Sequence, residues 1–439
     1  MLDFLGLTSL DDLFAHVPNA LRLAGGLSIE NGVNEYDVLD GFKSKGLRNT
    51  GATSFLTCFA GGGAYDHDIP PVVSALASRS EFVTAYTPYQ PEVAQGVLQA
   101  IFEYQTMISR LAGLPVANAS LYDGATALVE AVNMAHGATG KSTLLISAGV
   151  HPHWREVVRT FAQGTGHQLV IVPLKNGVTD WSSVNVSEAA AVVSAYPNYL
   201  GVVEDLAPAK DLAEKSEALF VVCGDPVAAG VLKSAGEWGA DIFVGEGQPF
   251  GTALSFGGPY LGLFACSEAQ VRRLPGRLVG ETLDTQGRRA FVTTLRAREQ
   301  DIRREKATSN VCTNQTLMAV AAAIQLSYLG TQGLAEVARR CAVGAHYAAE
   351  RLVSEAGVTL LSDAPFFREF AICLPLGANE VIERAAQHGV LAGLSLAALG
   401  ETDASGIDDP SKVLLVAVTE KRTKADVDAL VSAVAKAVK

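Results

Sequence analysis

The chain has 439 residues, 49% hydrophobic and 18% charged, with a formal net charge of -12, enough for one large core and a smaller one. The acidic balance disfavours nucleic acid, whose phosphates need a basic face; no apolar run reaches the roughly 18 residues of a membrane span; and the start Met1-Leu-Asp-Phe-Leu-Gly lacks a secretory signal's basic region, so a cytoplasmic location is expected. Six cysteines, Cys58, Cys223, Cys266, Cys312, Cys341 and Cys373, have no Cys-x-x-Cys spacing and predict reduced thiols rather than a disulfide framework or a structural zinc.

Ser9 reads as a helix N-cap with Asp12 three residues on, and Leu10, Leu13, Phe14 and Val17 follow at helical spacing, which predicts an N-terminal helix in an arm over 1–85. Gly61-Gly-Gly63 reads as a flexible loop. Tyr86-Thr-Pro-Tyr-Gln-Pro-Glu92 is an extended, Pro-punctuated loop, and the periodicity over 93–111 predicts a long amphipathic helix opening a large domain over 86–325. Asn118-Ala-Ser-Leu-Tyr-Asp-Gly-Ala-Thr-Ala127 is a small-residue turn entering a helix, where exposed N–H groups suit a phosphate; many such turns bind nothing.

Apolar runs at 143–147, 169–173, 190–194, 219–223 and 242–244 alternate with helical patterns and predict a mostly parallel sheet covered on both faces. Three of these runs lead into polar residues. His151-Pro-His153 offers an imidazole to stack on a cofactor ring but no third metal ligand, so no metal is expected. Val222-Cys-Gly-Asp-Pro226 ends a strand with Asp225, a carboxylate suited to a pyridinium nitrogen and equally to a helix N-cap. After 242–244 comes Gly245-Glu-Gly-Gln-Pro-Phe-Gly251, where a reactive lysine would be expected and Gln248 stands instead; an amide cannot form a Schiff base.

The stretch 272–306 is basic, with Arg272, Arg273, Arg288, Arg289, Arg296, Arg298, Arg303, Arg304 and Lys306. It reads either as a solvated salt-bridged surface or as a docking face for an acidic partner or phosphate. Thr308-Ser-Asn310 offers donors ahead of a helix over 314–329. A smaller α+β domain over 326–439 follows, with strands at 370–375 and 413–418.

Taken together, Tyr86-Thr-Pro-Tyr-Gln-Pro-Glu92, Asn118-Ala-Ser-Leu-Tyr-Asp-Gly124, Gly257-Gly-Pro259 and Arg303-Arg-Glu-Lys-Ala-Thr-Ser-Asn310 resemble the glycine decarboxylase family, the P protein of the glycine cleavage system. The resemblance covers the whole chain and is closest to the alpha branch of the two-subunit bacterial form. It implies a fold-type I pyridoxal phosphate transferase architecture, that of the aspartate aminotransferase superfamily, in an alpha2beta2 assembly. The family's catalytic half carries His-Lys-Thr-Phe, and the aligned residues here are Gly247-Gln-Pro-Phe250. Pyridoxal phosphate is therefore expected on the lysine-bearing beta subunit, subunit 2, with Ser120, Thr126, His151, Asp225 and Gln248 left as a degenerate pocket.

The resemblance further implies that two loops of this chain reach the partner's site: Thr87, Tyr89 and Gln90 at the glycine and carboxylate-exit region, and Thr308, Ser309 and Asn310 near the cofactor phosphate. Glycine would lose carbon dioxide there and pass its aminomethyl group to the lipoyl arm of the H protein, for which 272–306 is the candidate docking surface. Two alternatives stand beside this reading. One is an autonomous pyridoxal phosphate enzyme anchored at Lys141 or Lys306; the other is a structural scaffold for the catalytic subunit.

Overall fold

The computed structural model describes all residues except 24, 49–55, 185–187, 296–306 and 401–405. The chain divides into two compact units, Met1–Gly51 and Ala52–Lys439. In the first, Ser9 and Asp12 form the expected reciprocal capping box, but the turn they start is the five-residue 3-10 helix Leu10–Phe14. Pro18 disfavours helical backbone at Val17, and a helix without an apolar surface to bury has little to extend it. A twelve-residue helix, Glu35–Gly46, is capped by Asn34. None of the described residues of this unit is buried, and Phe4, Tyr36 and Phe42 face solvent.

The second unit is built on a seven-stranded sheet. Its strands are β1 (Val116–Ala117), β2 (Thr143–Ser147), β3 (Gln168–Val172), β4 (Ala191–Tyr196), β5 (Leu219–Gly224), β6 (Ile242–Glu246) and β7 (Gly262–Cys266), in the spatial order β1-β7-β6-β5-β4-β2-β3. The five strands β2 to β6 run parallel, and β7 lies antiparallel between β6 and β1. Alternate residues enter two cores: Leu144 and Ile146 point with Val193, Val221 and Val244 to one face, and Leu145 points with Val192, Phe220 and Phe243 to the other. Burial on both faces is why the strands read as continuous apolar runs.

Helix α1 (Gln95–Ala112) supplies Leu98, Ile101 and Tyr104 to one core. Helix α2 (Gly124–Thr139), with Val158 of α3 (Pro152–Thr165), fills the other. The basic stretch contains a feature absent from the predicted elements, an antiparallel hairpin of β8 (Val279–Leu283) and β9 (Arg289–Thr293) packed on α1.

The predicted helix over 314–329 belongs to the longer α4 (Thr316–Ala356), which continues past a break at Gly330, where φ is 60°. By length and composition alone α4 could cross a membrane. In this fold it packs on α1 and on the C-terminal helix Lys424–Ala437, giving Ala319 and Leu326 to the core that α1 fills and Ala345 and Leu352 to a second core beyond the large sheet. That second core lies between an antiparallel sheet and helices α5 (Ala378–Ala386) and α6 (Lys424–Ala437). The sheet comprises β10 (Thr359–Leu360), β11 (Glu369–Cys373), β12 (Leu394–Ser395) and β13 (Val413–Ala417) in the order β10-β11-β13-β12.

Candidate functional site

The carboxyl ends of β2, β4, β5 and β6 open on a cavity of about 90 Å³, the position where parallel sheets present their ligand-binding loops. His151 follows β2, Asn198 follows β4, Asp225 follows β5 and Glu246 ends β6; Tyr65 and Arg368 close the opposite side. Gln248 is buried behind this lining. Its Nε2 donates to the carbonyls of Thr252 (2.7 Å) and Tyr65 (3.1 Å), and its Oε1 accepts the Tyr65 N–H (3.0 Å). The amide thus brackets the 61–67 segment against the sheet.

At the amino end of α2, where a phosphate would sit, Glu246 Oε2 accepts the Gly124 N–H at 3.0 Å, and its Oε1 accepts those of Gln248 and Leu261, both at 2.9 Å. Burial pushes this carboxyl up to about 7, against the pull of the three N–H groups. The Trp154 indole lies over the same turn, so close that a Cβ on Gly124 would meet it at 2.3 Å. Ser120, held at φ 110°, accepts at Oγ from Asn314 Nδ2 (3.1 Å) and the Gln315 N–H (3.2 Å). Thr126 closes a capping box with Asp123.

Asp225 is engaged within the chain and caps no helix, the 3-10 turn Ala228–Gly230 that follows having Val227 as its N-cap. Its Oδ1 accepts the Val227 N–H (2.9 Å), and its Oδ2 pairs with Arg368 Nε at 2.7 Å. The buried Arg368 guanidinium also lies 3.7 Å from the centroid of the Tyr65 ring and donates to His67 Nε2. His67 Nδ1 in turn faces Glu420 Oε2 at 2.6 Å. The Tyr65 hydroxyl donates to Glu369 Oε2 (2.8 Å), whose Oε1 accepts the Gly62 N–H (2.7 Å); burial lifts the Glu369 carboxyl to about 7. His151 accepts the His153 N–H at Nδ1 (3.1 Å) and donates from Nε2 to the Gly62 carbonyl (2.9 Å), and burial lowers it to about 4, so the ring is neutral.

Outside the cavity, the turn 118–122 ties the two loops expected to reach a partner to one face. Tyr89, 55% exposed, stacks 4.8 Å from the Arg277 guanidinium, and the Arg277 carbonyl accepts the Ala119 N–H. On the other side Asn314 Nδ2 donates to the Ala119 carbonyl (2.8 Å), and the Tyr122 hydroxyl accepts the N–H groups of Cys312 and Thr313. Gln90, Thr308 and Asn310 are exposed. Ser309 is buried, its Oγ accepting the Val311 N–H, so that hydroxyl is committed inside this chain. Thr87 Oγ1 is buried with no hydrogen-bond partner among the described residues.

Of the two alternative lysines, Lys141 does not serve the cavity. Lys141 precedes β2 at the amino end of the sheet and donates to the Ser216 carbonyl at 2.7 Å; Lys306 lies outside the described residues, as do Arg296, Arg298, Arg303 and Arg304. In the rest of the basic stretch, Arg288 pairs with Asp284 and Arg289 with Glu281, both at 2.8 Å, the solvated reading of those two residues. All six cysteines are free, and four are buried.

Comparison with known proteins agrees with this geometry. The model of the glycine cleavage system P-protein family matches residues 1–434. The chain belongs to that family. Similar relatives include the probable glycine dehydrogenase (decarboxylating) subunit 1 of Chlorobium phaeobacteroides, 47% identical over 98% of this chain and 96% of its own length. The protein of the same name from Moorella thermoacetica is 46% identical over 99% and 96%. A crystal structure of glycine decarboxylase (P-protein) of the glycine cleavage system in inhibitor-bound form superposes with a TM-score of 0.91 at 45% identity, over all of this chain and 97% of that one. A Lactobacillus brevis glutamate decarboxylase, at 12% identity and a TM-score of 0.68 over 95% of each chain, shares the fold alone. The fold is that of the fold-type I pyridoxal phosphate enzymes.

The residues of this P-protein chain do not fit that cofactor. The amine is absent at Gln248, a carboxylate holds the helix terminus meant for a phosphate, and an arginine holds the carboxylate meant for a ring nitrogen. Sequence reasoning found Asp225, His151 and Gln248 but missed Tyr65, Glu246, Arg368 and Glu369. Glu246 stood two residues before Gln248 and carried a signal, being a charged residue inside an apolar strand. Arg368 carried none, since only the tertiary fold brings it to Asp225.

Proposed function

We propose that this chain is the subunit of glycine decarboxylase that carries no pyridoxal phosphate and completes the site of a lysine-bearing partner. Gln248 carries the reading: a buried amide whose nitrogen and oxygen are both bonded to backbone offers no nucleophile and no room for one. The names of the relatives support a subunit of glycine dehydrogenase. In this reading the partner holds the cofactor covalently, glycine is decarboxylated there, and the lipoyl arm of the H protein receives the aminomethyl group.

This chain then contributes positioning rather than chemistry. Tyr89, Gln90, Thr308 and Asn310 are the candidates, being exposed and tied to one face through the turn 118–122. The Tyr89 ring is held by Arg277, so it is presented at low entropy cost, as interface aromatics are. An alpha2beta2 assembly with an obligate interface, typically above about 2,000 Å² in total, accords with the reading. The test is to mix the purified chain with its partner and oxidised lipoyl H protein and measure glycine-dependent carbon dioxide release for wild type, Tyr89→Ala and Thr308→Ala. Intact complexes with reduced turnover support a shared site; intact complexes with unchanged turnover reduce this chain to a scaffold.

A further inference from the structure

A cofactor of this fold binds through two charged ends besides its lysine: a phosphate anion on backbone N–H groups at a helix terminus, and a ring cation on a strand-end carboxylate. Both anchoring points exist here. The amino end of α2 presents the Gly124 N–H, and Asp225 stands at the end of β5. Each already has an occupant from this chain. Glu246 supplies the acceptor oxygen, 3.0 Å from the Gly124 nitrogen, and Arg368 supplies the cation, 2.7 Å from Asp225.

We propose that Glu246 and Arg368 are ligand-excluding residues, an intramolecular replacement for the cofactor's two charged ends that keeps this pocket closed to pyridoxal phosphate even when a lysine is supplied. The proposal deepens the reading above and rests on it. A phosphate approaching α2 would face a buried carboxyl already holding three N–H donors, which leaves no free donor among those three and repels the anion whenever the carboxyl is ionised. A pyridinium approaching Asp225 would have to displace a guanidinium that is itself fixed by the Tyr65 ring, by His67 and, through His67, by Glu420. That displacement would leave a buried cation without its partner. The Trp154 indole over Gly124 narrows the same entrance. Loss of the lysine is thus one of three changes, and reversing it alone restores no more than a trace of binding.

The experiment incubates each purified chain with pyridoxal phosphate, reduces with borohydride and maps the label by mass. Borohydride fixes the imine that an amine forms with the cofactor aldehyde on loss of water. Wild type is expected to carry no site-specific label and Gln248→Lys only a trace on the introduced lysine, with the triple variant Gln248→Lys/Glu246→Ser/Arg368→Leu carrying about tenfold more there than Gln248→Lys. Equal labelling of the single and triple variants at that lysine overturns the proposal. Specific label on a wild-type lysine overturns instead the reading that this chain carries no cofactor. Should the triple variant fail to fold, Glu246→Ser alone is titrated with inorganic phosphate: a saturable rise in melting temperature absent from wild type supports the exclusion, and an identical response in the two proteins refutes it.

Discussion

At the pocket and just behind it, Asp225, Glu246 and Gln248 direct their hydrogen bonds to this chain, whereas at the rim Tyr89, Gln90, Thr308 and Asn310 are exposed. The turn 118–122 belongs to the rim side, where Asn314 Nδ2 donates to both the Ala119 carbonyl and the Ser120 hydroxyl. A site that lost function by drift alone would leave buried polar groups unsatisfied, each costing about 1–3 kcal/mol. This pocket instead has its polar groups paired within the chain, and the rim keeps its side chains exposed. The difference teaches that the pocket is closed by its own side chains while the rim leaves side chains accessible, which is what the proposed division of labour requires.

The comparison breaks first at Arg368. Arg368→Leu leaves Asp225 without its cation and empties space beside Tyr65, so urea unfolding is expected to show a loss of about 3–5 kcal/mol. Adding Asp225→Asn is expected to recover part of it, because the two residues form one interaction.

Next comes pH. The carboxyl of Glu246 rises from the ordinary value of 4.5 to about 7 on burial, so the folded state binds a proton that the unfolded state releases. Its stabilising contribution is complete below about 4.5 and is lost as pH rises through about 7. Glu246→Gln removes that loss. Unfolding free energies of wild type and variant, measured between pH 5 and 8, are expected to diverge by up to about 3 kcal/mol, with the wild type falling more steeply. The lowered His67 and His151 act in the opposite direction but in both proteins alike.

Gly124→Ala tests the crowding at the amino end of α2. A methyl group 2.3 Å from the Trp154 ring forces the indole to move, and a cost of about 1–3 kcal/mol is expected in thermal unfolding. Smallest in stability, and most telling about the rim, is Tyr89→Ala. It is expected to cost the isolated chain less than about 1 kcal/mol, the loss of an exposed stacking contact with Arg277. Turnover of the assembled enzyme is expected to fall by about tenfold, equivalent to 1.4 kcal/mol in the barrier.

Much of the fold was legible because the sheet is buried on both faces: the runs at 143–147, 219–223 and 242–244 each became strands within a residue or two. The antiparallel β7 and the β8–β9 hairpin were not read, since Gly-rich and arginine-rich surroundings mask short strands whose pairing is decided at long range. The continuation of α4 past Gly330 was missed for a similar reason: a glycine ended the pattern locally, while packing against the second core carries the helix on. In the site, the residues at strand ends could be named from sequence because their backbone position fixes what they face. Tyr65, Arg368 and Glu369 come from an early loop and a distant strand, and only the assembled fold places them in the pocket.

The central claim is that the two halves of the enzyme divide the work, one holding the cofactor and the other shaping its surroundings. The most direct test measures glycine-dependent carbon dioxide exchange for this chain alone, the partner alone and the two together, with borohydride label mapped on both chains of the mixture. The account predicts full activity only with both chains and label on the partner's lysine alone. Specific label on a lysine of this chain, or exchange as fast with the partner alone as with the pair, would contradict it.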